Sequence, residues 1–111
     1  MIAKSELDTE DRREPRIVSA DKGRVEIAGD LTFETVASLR ERGAEVLRGI
    51  GDVTLDLNAV TRADSAGLAL MVEWFMQAKR HDASFRVVNM PDQMLAIARM
   101  VKLDSFLIAG D

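Results

Sequence analysis

The chain has 111 residues, 47% of them apolar, and a net charge of −4. That is enough for one domain with a core of its own, and the apolar share excludes a wholly disordered protein. The acidic balance, with 15 scattered Lys and Arg residues, argues against a nucleic-acid binder working through a basic face, and the lack of cysteine removes disulfides and thiolate metal sites.

Residues 1–15 (MIAKSELDTEDRREP) are mostly charged or polar and end at Pro15. They read as a mobile tail ahead of a domain spanning residues 16–111, or as a segment that docks Met1, Ile2 and Leu7 on a partner. Arg16 to Ala20 is a short strand candidate, and Asp21-Lys22-Gly23 a turn signal. Arg24 to Gly29 alternates polar and apolar residues and completes a hairpin. Thr32 is the expected N-cap of a helix over Phe33 to Arg48, with Val36, Leu39, Gly43, Val46 and Leu47 recurring at spacings of three and four, and Gly49 as its C-cap.

Val53 to Leu57 has strand character and leads into an expected loop, Asn58 to Asp64. A helical pattern follows from Leu68 to about Arg80, with Ser65 at the expected N-cap. Phe85 to Val88 is a further strand. Met90-Pro91-Asp92 opens a third helix whose apolar face is Met94, Leu95, Ile97, Ala98 and Val101. Leu103 to Ile108 closes the chain with an element of open type. The order predicts an α/β fold with a mixed sheet and parallel pairs built from crossovers.

Asp64 and Ser65 carry the most information. The plain reading is a loop carboxylate and a helix cap worth about 1 kcal/mol. The functional reading is a hydroxyl presented at a helix N-terminus, a place that also favours phosphate. Catalysis by Ser65 is not expected. His81 lies roughly 24 Å away by helix rise, and Ala63-Asp64-Ser65-Ala66-Gly67 lacks the first glycine of a nucleophile elbow. Asp56 and Asp64 lack a third metal ligand, His81 alone cannot build a zinc site, and no Walker-type or G-x-G-x-x-G loop is present. No cofactor or metal is therefore expected.

On a helical wheel, Leu68, Met71, Val72 and Phe75 form the expected core face of the second helix. Ala66, Leu70, Glu73, Gln77 and Arg80 fall opposite, with Trp74 at the edge. Either a tail or neighbouring element covers Leu70 and Trp74, or they form a partner-binding patch beside Ser65. Gly67 reads as a site of close approach. No apolar run approaches a membrane span and no signal-peptide core is visible, so the expected location is cytoplasmic.

The stretch VTLDLNAVTRADSAGLALM resembles the signature of the STAS domain: a hydrophobic strand, a short loop, then Asp-Ser/Thr-x-Gly-Leu at a helix N-terminus. The likeness extends from Arg16 to about Ile108. It implies a small β-sheet with helices packed mainly on one side. In the anti-sigma-factor antagonists of this family, the serine after the aspartate is phosphorylated by a partner kinase, which makes Ser65 the candidate phosphorylation site. Those proteins typically carry Asp-Ser-Ser-Gly, where this chain has Ala66. The string Val60 to Leu70, followed by Gln77-Ala78-Lys79, is more similar to the MlaB-like members, which often have threonine and two glycines in place of Ser65, Ala66 and Gly67. These members are subunits of phospholipid-transporting ABC complexes. The resemblance implies a non-enzymatic subunit, peripheral to the inner membrane, that stabilises or activates an ABC ATPase. Arg62, Asp64, Ser65, Ala66, Gly67, Leu70 and Trp74 are then the candidate partner-binding residues, and an anti-sigma-factor serine kinase is the alternative partner.

Overall fold

The structure is a computed structural model describing residues 13–109. Strand β1 (Arg16–Asp21) and strand β2 (Arg24–Leu31) form an antiparallel hairpin. Lys22 (φ 52°) and Gly23 (φ 83°) both take left-handed backbone, as a two-residue hairpin turn of the right twist requires. Strand β3 (Val53–Ala63) and strand β4 (Phe85–Val88) complete the sheet in the order β1-β2-β3-β4, with β2/β3 and β3/β4 parallel. Helices α1 (Val36–Ile50) and α2 (Ser65–Arg80) make the two crossovers. Crossovers are right-handed, and here the parallel strands follow one another in sequence order, so both helices lie on the same face. Helices α3 (Asp92–Met100) and α4 (Asp104–Ala109) follow. The closing element, left open by its sequence, is thus a helix.

Most of the expected tail, residues 1–12, lies outside the described residues. Its last two residues rest on β2. A Cβ on Gly29 (φ +100°) would collide with the Glu14 carbonyl and the Pro15 backbone, and Pro15 is buried.

Four local expectations are corrected. β3 does not end at Leu57; it continues to Ala63, pairing Ala59, Val60, Arg62 and Ala63 with Ala28, Gly29, Asp30 and Leu31. Two register shifts against β2 change the phase, so Val60 and Ala63 are buried while Thr61 and Arg62 are exposed, and the simple alternation that marks a strand is lost. α1 starts three residues late. Thr32 to Thr35 form a turn in which the Thr32 carbonyl accepts from the Thr35 and Val36 amides, and Thr35 is the N-cap. Its C-cap is Gly51 (φ 91°), whose amide donates to the Leu47 carbonyl, and not Gly49. The cap of α2 is Asp64, and Ser65 is its first helical residue.

Of the two readings open for Leu70 and Trp74, cover by neighbouring elements holds: both are 1% exposed, which removes the partner-binding patch. α2 packs against α1, α3, α4, β3 and β4. A helix touched from so many sides buries more than one stripe. Its buried set is Gly67, Leu68, Leu70, Met71 and Trp74, while Val72 and Phe75 are half-buried at the margin. Trp74 sits against Gly43 of α1, where a Cβ would overlap the indole ring. Gly67 is buried too. A Cβ there would lie 2.5 Å from the Leu31 carbonyl oxygen and 2.9 Å from the Leu31 Cβ, which is the close approach its position suggested.

Candidate functional site

β2 and β3 end side by side at Leu31 and Ala63. From these carboxyl ends the chain turns twice, through Thr32–Thr35 into α1 and through Asp64 into α2. The crevice outside the carboxyl ends of parallel strands is the usual place for a site in such folds.

Asp64 ties the two turns together. Its Oδ1 accepts from the Ala66 amide at 2.9 Å, and its Oδ2 accepts from the Phe33 amide at 3.1 Å. Its own carbonyl accepts from the Gly67 and Leu68 amides, at 3.0 and 3.2 Å. Three amides of the first helical turn are therefore already taken, which leaves the helix end poorly suited to an outside phosphate.

Thr35 locks the other turn. Its Oγ1 accepts from the Thr32 amide at 2.9 Å and donates to the Asp30 carbonyl at 2.7 Å. Asp30 is itself buried, and its carboxylate accepts from Thr61 Oγ1 at 2.6 Å.

Three exposed side chains stand on this frame. Ser65 makes no hydrogen bond to the described residues, and Arg62 makes no ion pair among them. Phe33 is 83% exposed, the most exposed of the large apolar side chains among the described residues. Between the turns lies an open hollow of about 260 Å³ lined by Thr32, Phe33, Glu34, Arg62, Asp64 and Gln93.

Of the residues singled out from sequence, the structure brings Arg62, Asp64, Ser65 and the half-buried Ala66 to this pole. Gly67, Leu70 and Trp74 are behind it, in the core. Phe33 was missed, because an aromatic residue just after a cap candidate reads as the start of the helix. The local signal that could have found it is the second threonine, Thr35, a rival cap that would leave Phe33 in the turn. Ser65 is hydrogen-bonded to no base among the described residues, and His81 is the C-cap at the other end of α2.

Asp56 is also committed. It accepts from Arg24 Nη2 at 2.8 Å, from Asn89 Nδ2 at 2.9 Å and from the Asn58 amide at 2.9 Å, and so braces β2, β3 and the end of β4. No helix among the described residues is long and apolar enough to cross a membrane.

The model of the MlaB STAS-domain family matches residues 18–109. No curated protein matches the sequence. Among solved structures, the chain is similar to the anti-sigma factor antagonist SpoIIAA in its unphosphorylated form. The TM-score is 0.60 at 13% identity, covering 78% of this chain and 82% of that one. At that identity the likeness shows the fold alone, a mixed sheet with its helices as described above.

Proposed function

The chain belongs to the MlaB STAS-domain family, and from that premise we propose that it is a non-catalytic accessory subunit of a phospholipid-transporting ABC complex that maintains outer-membrane lipid asymmetry. It docks on the cytoplasmic ATPase subunit, stabilises or activates it, and reaches the inner membrane only through that partner. One observation carries the reading: on a hydrogen-bonded frame an exposed aromatic, Phe33, stands near Ser65 and Arg62, whose hydroxyl and guanidinium have no hydrogen-bond or ion-pair partner, respectively, among the described residues. A rigid aromatic anchor flanked by polar groups is the usual composition of an interface hot spot. The anchor is Phe33, since Leu70 and Trp74 are out of reach.

The test is co-purification and affinity with the ATPase subunit. Phe33→Ala is expected to weaken binding about tenfold or more. Ser65→Glu is expected to weaken it as well, by placing an unpaired charge in the contact. Wild-type affinity in both variants would remove this pole from the interface.

A second reading is favoured by the freedom of the Ser65 hydroxyl, which is what a serine kinase needs of a substrate. The chain would then be an anti-sigma-factor antagonist. A phosphate there adds nearly two negative charges next to the Asp64 carboxylate, with the helix amides already occupied. Repulsion of Asp64 would loosen its hold on the Phe33 amide and release the partner. Intact mass of the protein from its own cells, together with the identity of co-purified proteins, separates the two readings. An ATPase with its permease supports the first, and a kinase with phosphate on Ser65 supports the second.

A further inference from the structure

The far end of α3 exposes apolar side chains that neither the core nor the docking pole uses. α3 starts at the pole, where Gln93 lines the hollow, and ends at Met100. Helix rise carries the chain roughly 13 Å along the axis between the two. Val101, expected on the apolar face of this helix, is its C-cap instead and is 51% exposed. Met100 beside it is 77% exposed. Lys102 takes left-handed backbone (φ 61°), and its amide donates to the Arg99 carbonyl at 3.1 Å, which closes the turn. Arg99 and Lys102, both exposed, bracket the two apolar residues. α4 then presents Phe106, exposed and packed edge-on to Phe75, with Lys79 over the Phe75 ring.

A single exposed apolar residue needs no explanation. Here Met100, Val101 and Phe106 come with three cations, Arg99, Lys102 and Lys79, none of which forms an ion pair among the described residues. Asp104, half-buried in the first turn of α4, is the one carboxylate from Arg99 to Phe106. Apolar side chains bracketed by cations complement an anionic bilayer, which sets hydrocarbon beneath negative phosphates. A tight turn offers a protein partner little area, since stable contacts cover about 800 Å² a side. The fluid edge of a bilayer moulds to it.

We propose that the turn at residues 99–102, with Phe106, is a contact for anionic phospholipid at a bilayer surface. Met100, Val101 and Phe106 enter the headgroup layer, and Arg99, Lys102 and Lys79 meet lipid phosphates. The chain as a whole carries −4, so such a surface repels the rest of the molecule and selects the end that faces it. So few groups do not recruit the chain unaided at physiological salt. The contact orients a chain that its partner has already brought to the membrane, while binding to lipid itself does not depend on that partner's identity.

The chain has no cysteine, so Val101→Cys gives one site for an environment-sensitive fluorophore on the full-length protein. The probe is vesicles of phosphatidylcholine containing about one-third phosphatidylglycerol, titrated at low ionic strength. Emission is expected to shift to the blue saturably, to shift little on phosphatidylcholine alone, and to return as salt is added. Lys102→Gln or Arg99→Gln should each weaken the binding about fivefold, and Met100→Ser should weaken it as well. The same fluorophore at Ser38→Cys, an exposed position on α1, should not respond. No blue shift at residue 101 on the charged vesicles would overturn the proposal and leave the turn to an acidic protein partner. So would an equal shift at residue 38, or an equal shift on neutral vesicles with no effect of Lys102→Gln.

Discussion

Asp64 is the residue on which the candidate site turns. Its two oxygens serve two segments distant in sequence, the first turn of α2 and the loop that carries Phe33. Asp64→Ala removes both bonds. It is expected to lower stability by about 1–2 kcal/mol in urea denaturation and also to weaken partner binding, by freeing the Phe33 loop. Asp64→Asn keeps one acceptor and should lie between. Gly43 shows the same dependence on a distant neighbour. Alanine is the better helix former by about 1 kcal/mol, yet its Cβ would sit 2.6 Å from Trp74 Cη2 in a filled core. Overpacking costs about 1–3 kcal/mol. Gly43→Ala should therefore destabilise the protein, read by denaturation followed through Trp74 emission. A more stable variant would mean that the indole has room to move.

Each element shows how far a local pattern carries. α1 behaves as its periodicity predicts, burying Leu39, Gly43 and Leu47 on one stripe. α2 does not, since it is wedged between the sheet and the other helices. Its outer margin is held by Phe75, packed edge-on to Phe106 at 6.5 Å with Lys79 over its ring. β3 is held at its solvent-side rim by Asp56. The hydrogen bond from Asn89, then those from the Asn58 amide and Arg24, hold the Asp56 carboxyl below its ordinary 3.8 against an opposing effect of burial. A depressed carboxyl contributes stability above its unfolded value and loses it as the pH falls through the folded one. The stability gap between wild type and Asp56→Asn should thus be full at neutral pH and close below about 3.8. Denaturant midpoints across that range measure it. Arg24 is 56% exposed, so its ion pair adds little by itself.

At the scale of the molecule, the proposed function puts stability and recognition in different places. Trp74→Ala removes a fully buried ring and is expected to cost about 3–5 kcal/mol, a large part of the 5–15 kcal/mol typical of a domain. Its thermal midpoint should fall steeply. Phe33→Ala should leave stability within about 0.5 kcal/mol while weakening the partner. A Trp74 variant that loses the partner therefore reports on folding, and only a Phe33 variant reports on contact.

Element order, the hairpin turn at Lys22-Gly23, the parallel pairs and the family signature at Asp64-Ser65-Ala66-Gly67-Leu68 were all legible in the sequence. Each is a local pattern of turn chemistry, periodicity or motif. The tertiary structure alone decided that Asp64 and not Ser65 caps α2, that β3 runs on to Ala63, that Leu70 and Trp74 are buried, and that Phe33 is bare. Asp64 reaches Phe33 across 31 positions. Trp74 is covered by Gly43, a residue of another helix. A helical wheel sorts the faces of one helix but does not say how many neighbours will pack on it. Burial by several neighbours at once is a property of the assembled fold, so the sequence located the turn at Asp64-Ser65 and the packing chose which side chains stay exposed around it.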